Sequence, residues 1–183
     1  LMGLLATQPF TATVDGHEGL RRRPMERIAQ PLRLMGAAVE TTEGHAPITM
    51  RGGSLTTIEY RMPVASAQLQ TTLLIAALGA GGHMILHQPG PARDHTLRML
   101  AGQGAKIEET GGVITFNAAD FRLKPLDFTI PGDMSAAAFL MVAGLVAPDS
   151  EVAIKGVNTN HTRAGLLEIL QAMGGRIGVQ SRQ

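Results

Sequence analysis

Three arginines, Arg23, Arg93 and Arg163, stand 70 and again 70 residues apart in this chain. A guanidinium presents a planar fork that matches a carboxylate or phosphate through two parallel hydrogen bonds, so arginines recurring at a fixed interval suit an anionic ligand. Two short loops, P-V-A-S-A-Q (63–68) and P-G-D-M-S-A-A (131–137), each lead from a proline through a serine into an apolar stretch. Such loops are helix starts, where unpaired backbone N–H groups and the positive end of the helix dipole favour anions. Several of these termini around one cleft would hold a ligand carrying several phosphate and carboxylate groups. The same residues also fit a structural role, with Ser66 and Ser135 as N-caps and the arginines as a solvated face.

The elements that must position these groups repeat as well. Each arginine precedes an amphipathic stretch ending in a glycine, Gly36, Gly104 or Gly174, where a helix C-terminus favours one. Leu32, Leu100 and Leu170 lie four residues before those glycines, and Ala29, Leu97 and Leu167 lie seven before, which is one apolar stripe at helical spacing. Short strands are expected from Val39, Ile107 and Ile177. Strands are also expected upstream of the arginines, in T-A-T-V-D-G (11–16), H-M-I-L-H (83–87) and E-V-A-I-K-G (151–156). Glu43-Gly44 and Gly111-Gly112 mark two hairpin turns. A period near 70 residues predicts an α/β protein of repeated units, one complete and two truncated, with a boundary near K-P-L-D-F (124–128).

Composition excludes several classes. The 183 residues carry a net charge of +1 and only 3% aromatics with no Trp, a poor supply for an electrostatic or stacking nucleic-acid surface. Without cysteine there is neither a disulfide framework nor a thiolate nucleophile nor a Cys-ligated zinc. His83 and His87 share a strand face, but no third ligand follows at metal spacing, and no metal is expected. The apolar run 73–78 is far short of the roughly 20 residues a membrane span needs. No leader pattern opens the chain, so a cytoplasmic protein is expected; the opening L-M-G-L-L-A reads as a helix already under way, hence as a piece of a longer protein.

Six motifs in one order, L-R-R-R-P-M (20–25), P-L-R-L-M-G-A (31–37), P-V-A-S-A-Q (63–68), A-R-D-H-T (92–96), P-G-D-M-S-A-A-A-F (131–139) and N-H-T-R-A-G-L-L (160–167), closely resemble 5-enolpyruvylshikimate-3-phosphate synthases. The resemblance runs from Leu1 to about Val179. It implies an enolpyruvyl-transferase-like fold of pseudo-symmetric βαβαββ repeats in two domains, both incomplete here: residues 1–126 as the later part of the first and 127–183 as the opening repeat of the second. It further implies a transferase that joins phosphoenolpyruvate to shikimate 3-phosphate without metal or cofactor, a monomer when full length.

By matching motif, Arg23 looks like a phosphoenolpyruvate ligand. Ser66, Ala67 and Gln68 look like the shikimate 3-phosphate loop, with Gln68 also facing phosphoenolpyruvate, and Arg93 looks like a second shikimate 3-phosphate ligand. Asp133 resembles an acidic residue at the interdomain crossover. The family's proton-transferring residues fall outside this sequence, so no catalytic residue is expected within it. The chain departs from the family pattern at His17 and Gly19-Leu20, where an acidic residue and then Ser-Leu are common, so that a loop hydrogen bond is expected to be missing, at Ala92 for a hydroxyl residue, and at His161 for a proline. Two alternatives remain: a UDP-N-acetylglucosamine enolpyruvyl transferase, whose typical loop cysteine is missing from D-G-H-E-G-L (15–20), and a non-catalytic anion-binding repeat module.

Overall fold

The computed structural model describes residues 1–180. Its contacts divide into two compact units, Leu1–Lys124 and a second beginning at Pro125.

In the first unit the sequence repeat becomes a repeated topology. Strands β1 (Thr11–Val14), β2 (Ala38–Thr42) and β3 (His45–Arg51) form an antiparallel sheet in the order β1-β3-β2. Strands β4 (Glu59–Arg61), β5 (His83–His87), β6 (Lys106–Thr110) and β7 (Val113–Asn117) form a second sheet in the order β4-β5-β7-β6. The order β5-β7-β6 copies β1-β3-β2, and β4 adds a parallel neighbour to β5. Helices α1 (Met2–Leu5), α2 (Glu18–Arg21), α3 (Glu26–Leu34), α4 (Ala67–Ala80) and α5 (His95–Gly102) complete the unit. From β4 to β7 the chain runs β-α-β-α-β-β, one whole repeat.

Backbone chemistry explains the matching ends. Both hairpins turn on two residues with positive φ, Glu43 (52°) with Gly44 (81°) and Gly111 (59°) with Gly112 (78°), the requirement of the tight turn that follows strand twist. At each helix glycine the same pair of bonds closes the helix. The N–H of Gly36 bonds Arg33 O and that of Ala37 bonds Leu32 O, with Gly104/Ala101 and Ala105/Leu100, then Gly174/Gln171 and Gly175/Leu170, as copies. This closure needs a left-handed residue, and φ at the three glycines is 108°, 88° and 92°.

The core of the first unit gathers around α4. Leu69, Leu73, Leu74, Ala76 and Ala77 are fully buried, and a buried Leu side chain contributes about 1.5–3 kcal/mol. Helix α1 packs on α4 so closely that a Cβ on Gly3 would sit 2.1 Å from Thr72 O. Met84, Leu86, Ile114 and Phe116 complete the core from the second sheet, where Phe116 meets Phe121 edge-on at 6.2 Å.

The second unit contains α6 (Met134–Val146) and α7 (Gly165–Ala172). Among the described residues no strand forms at 151–156 or at 177–180, the rest of the segment expected after Ile177 lying outside the described residues, and this part pairs only through an isolated bridge, Gly132 with Val157. A strand needs a hydrogen-bonding neighbour on at least one edge. In the first unit β7 accepts β5, whereas no described hairpin stands beside 151–156. α6 corresponds by position to α4, yet it buries only Met134 and Ala137 and leaves Phe139 80% exposed.

Candidate functional site

Arg23 follows α2, a single turn capped by His17, whose Nδ1 accepts the Gly19 N–H at 3.1 Å. His17 thus makes a hydrogen bond of its own within this loop. Of the three consecutive arginines, Arg21 pairs with Asp15 and Arg22 with Glu18. Arg23 is exposed and its guanidinium has no hydrogen-bond or ion-pair partner among the described residues. Two residues on, the Met25 N–H is held by Gly44 O at 2.7 Å, which anchors the start of α3 to the first hairpin.

Ser66 is 5% exposed and caps α4, its Oγ accepting the Leu69 N–H at 3.3 Å and donating to Gln68 Oε1 at 3.2 Å. With its oxygen engaged, the exposed Gln68 retains its amide N–H donors for an anionic or hydroxyl acceptor. Ala67, half-buried, carries no polar atom on its side chain and can offer a ligand only its backbone. Thr72 Oγ1 donates to Gln68 O at 2.8 Å.

Arg93 is half-buried, two residues before α5. The pairing with Asp94 that would make it structural does not occur: Asp94 Oδ2 accepts from Arg98 Nε at 2.6 Å, and Arg93 has no side-chain partner among the described residues. The hydroxyls of Thr71 and Thr96 meet at 2.6 Å and join α4 to α5 behind these loops.

Asp133, in the second unit, caps α6 by accepting the Ser135 N–H at 3.0 Å, so Ser135 is not the cap. Arg163 Nη2 donates to Asp133 Oδ1 at 3.2 Å and to Ser135 Oγ at 2.6 Å. The Ser135 N–H first and Arg163 second hold the Asp133 carboxyl below the ordinary range. Arg163, which shares the 70-residue spacing, is therefore engaged within its own unit.

Pattern reasoning passed over Thr71 and Thr96, and also Arg27 Nε, Gln70 Oε1 and Gln88 Oε1, which are buried without a protein hydrogen-bond partner among the described residues. His87 Nε2 lies 2.7 Å from Glu59 Oε1, and no group of three or more His, Asp or Glu is gathered as a metal site among the described residues. No helix among them is long and apolar enough to cross a membrane.

The sequence pattern of the EPSP synthases (3-phosphoshikimate 1-carboxyvinyltransferases) matches residues 1–183. The chain belongs to the EPSP synthase family. Curated family members named 3-phosphoshikimate 1-carboxyvinyltransferase include one from Thermoanaerobacter sp. (strain X514), 43% identical over 97% of this chain and 42% of its own length. Another, from Zymomonas mobilis, is 46% identical over 97% of this chain and 40% of its own length. The chain thus spans about two fifths of the curated relatives it matches. Among solved structures, EPSP synthase from Acinetobacter baumannii superposes with a TM-score of 0.87 at 39% identity, over 100% of this chain and 41% of that one. The enolpyruvyl transferase NikO from Streptomyces tendae shares the fold, with a TM-score of 0.72 at 18% identity over 98% of this chain and 44% of its own.

Proposed function

We propose that the whole protein containing this chain transfers the enolpyruvyl group of phosphoenolpyruvate to the 5-hydroxyl of shikimate 3-phosphate and releases phosphate. The observation that carries this reading is that Arg23 and Arg93 leave their guanidinium groups unpaired among the described residues, in a chain of this family. An arginine kept out of internal ion pairs is available to an anion of the ligand.

In this reading Arg23 binds phosphoenolpyruvate, Ser66, Ala67 and Gln68 hold shikimate 3-phosphate with Gln68 also reaching phosphoenolpyruvate, and Arg93 takes an anionic group of shikimate 3-phosphate. Asp133 serves the crossover between two domains, residues 1–126 ending the first and residues 127–183 opening the second. Protonation of the phosphoenolpyruvate methylene, attack of the 5-hydroxyl and loss of phosphate then proceed between groups that these residues orient and whose charge they stabilise. The acid and base of those steps lie in other segments of the whole protein, which works in the cytoplasm as a monomer with neither nucleic acid nor membrane as partner.

Phosphate release measured with phosphoenolpyruvate plus either shikimate 3-phosphate or UDP-N-acetylglucosamine tests the proposal. Release with shikimate 3-phosphate alone is expected. Release with the nucleotide sugar alone, or with neither, overturns it.

A further inference from the structure

We infer that the hydroxyl pair Thr71–Thr96 is a positioning device that sets Arg93 against the Ser66–Gln68 loop, an inference that rests on the substrate reading above. Helix α4 is apolar along its length except for its start and the consecutive pair Thr71, Thr72. A β-branched hydroxyl residue is a poor choice inside a helix unless its oxygen has a task. Thr72 uses its own on the carbonyl of Gln68, 2.8 Å away. Thr71 turns instead to another helix and meets Thr96 Oγ1 at 2.6 Å.

The position of that bond matters. Thr71 follows Ala67 by four residues and Gln68 by three, so it lies one turn beneath the ligand loop on the same helix face. Thr96 is in the first turn of α5, three residues after Arg93, within about 10 Å of chain. Between β5 and α5 the segment Gln88–Asp94 has no regular structure, and Gly90 has open space around its Cβ position. α5 itself is seated by a narrow stripe, Leu97 and Leu100, about which a two-turn helix can roll. The hydroxyl bond ties α5 to α4 and so restrains where the backbone carries Arg93 relative to the start of α4.

Thr71→Val and Thr96→Val keep the branched shape and remove the bond. In the whole protein each is expected to raise KM for shikimate 3-phosphate about fivefold, as loss of one neutral hydrogen bond would. KM for phosphoenolpyruvate and kcat should stay within twofold, since in this reading Arg93 meets shikimate 3-phosphate alone and takes no part in the proton transfers. The double variant should be no worse than either single one, and Thr96→Ser should restore the wild-type KM. Additive losses, or a parallel fall in kcat and both KM values, would mean the pair only supports the fold and would overturn the inference. If Arg93→Ala raises KM for shikimate 3-phosphate while the threonine variants do not, the positioning role fails and the substrate reading stands. If Arg93→Ala changes nothing, the substrate reading fails and the inference falls with it.

Discussion

Arg163 Nη2 lies 3.2 Å from Asp133 Oδ1, at the N-terminus of α6. Arg163 and Arg93 hold equivalent places in the 70-residue repeat, yet one is bound within its unit and the other has no partner among the described residues. The caps differ as well: α6 begins with the Asp133 carboxylate, which takes both the Ser135 N–H and Arg163, whereas α4 begins with the neutral Ser66, whose hydroxyl takes the Leu69 N–H.

The Asp133 carboxyl titrates below its ordinary value, so its contribution to stability is fully present above about pH 3.9, the unfolded value, and is lost as pH falls through the lower folded pKa. Following the carboxyl carbon by NMR should show that depressed value. Arg163→Ala should recover only part of the shift, because the Ser135 N–H, the larger cause, remains. A full return to the ordinary value would make Arg163 the dominant partner instead.

Arg23→Ala should lower kcat/KM for phosphoenolpyruvate by about 10² or more in the whole protein, as loss of charge-assisted bonds in an active site does. Arg22→Ala, one residue away, removes an exposed pair with Glu18 and should change the same parameter less than twofold. Steady-state kinetics on the two variants checks both, and near-native values for Arg23→Ala would contradict its assignment.

Gly3→Ala would drive a methyl to 2.1 Å from Thr72 O, a backbone atom that cannot step aside. The α1–α4 contact must then open, at a cost of about 1–3 kcal/mol. Gly102→Ala, at the end of α5 with nothing within 4 Å, should instead be neutral or stabilise by up to about 1 kcal/mol. Denaturant melts of the two variants should move in these directions.

This 183-residue chain alone should release no phosphate from phosphoenolpyruvate and shikimate 3-phosphate. Transfer to and from carbon needs an acid and a base, each contributing roughly 10²–10⁴. Arg23, Ser66, Gln68 and Arg93 exchange no proton readily, and Asp133, ionised at neutral pH, could accept a proton but has none to donate. Turnover by the isolated chain in a coupled phosphate assay would show that proton-transferring groups lie within it.

The repeat was legible without coordinates because its signals are local. A glycine at the helix end answers a backbone demand made by residues at most five positions away, as the bonds from Ala37, Ala105 and Gly175 to Leu32, Leu100 and Leu170 show. The hairpins at Glu43-Gly44 and Gly111-Gly112 likewise follow from two φ values, and the apolar stripes from a 3.6-residue period. The six ordered motifs carried the family for the same reason: short strings survive as strings.

Tertiary structure decided whatever depends on a partner far away in sequence. The segment 151–156 has a strand's composition and is not one, because pairing belongs to two segments and one of them is not there among the described residues. Arg163 reaches back 30 residues to Asp133 and 28 to Ser135, contacts that only the folded second unit makes. Thr71 and Thr96 are 25 residues apart and unremarkable as letters; only the packing of α4 and α5 brings two hydroxyls within 2.6 Å, where a hydrogen bond, being short-ranged and directional, can form.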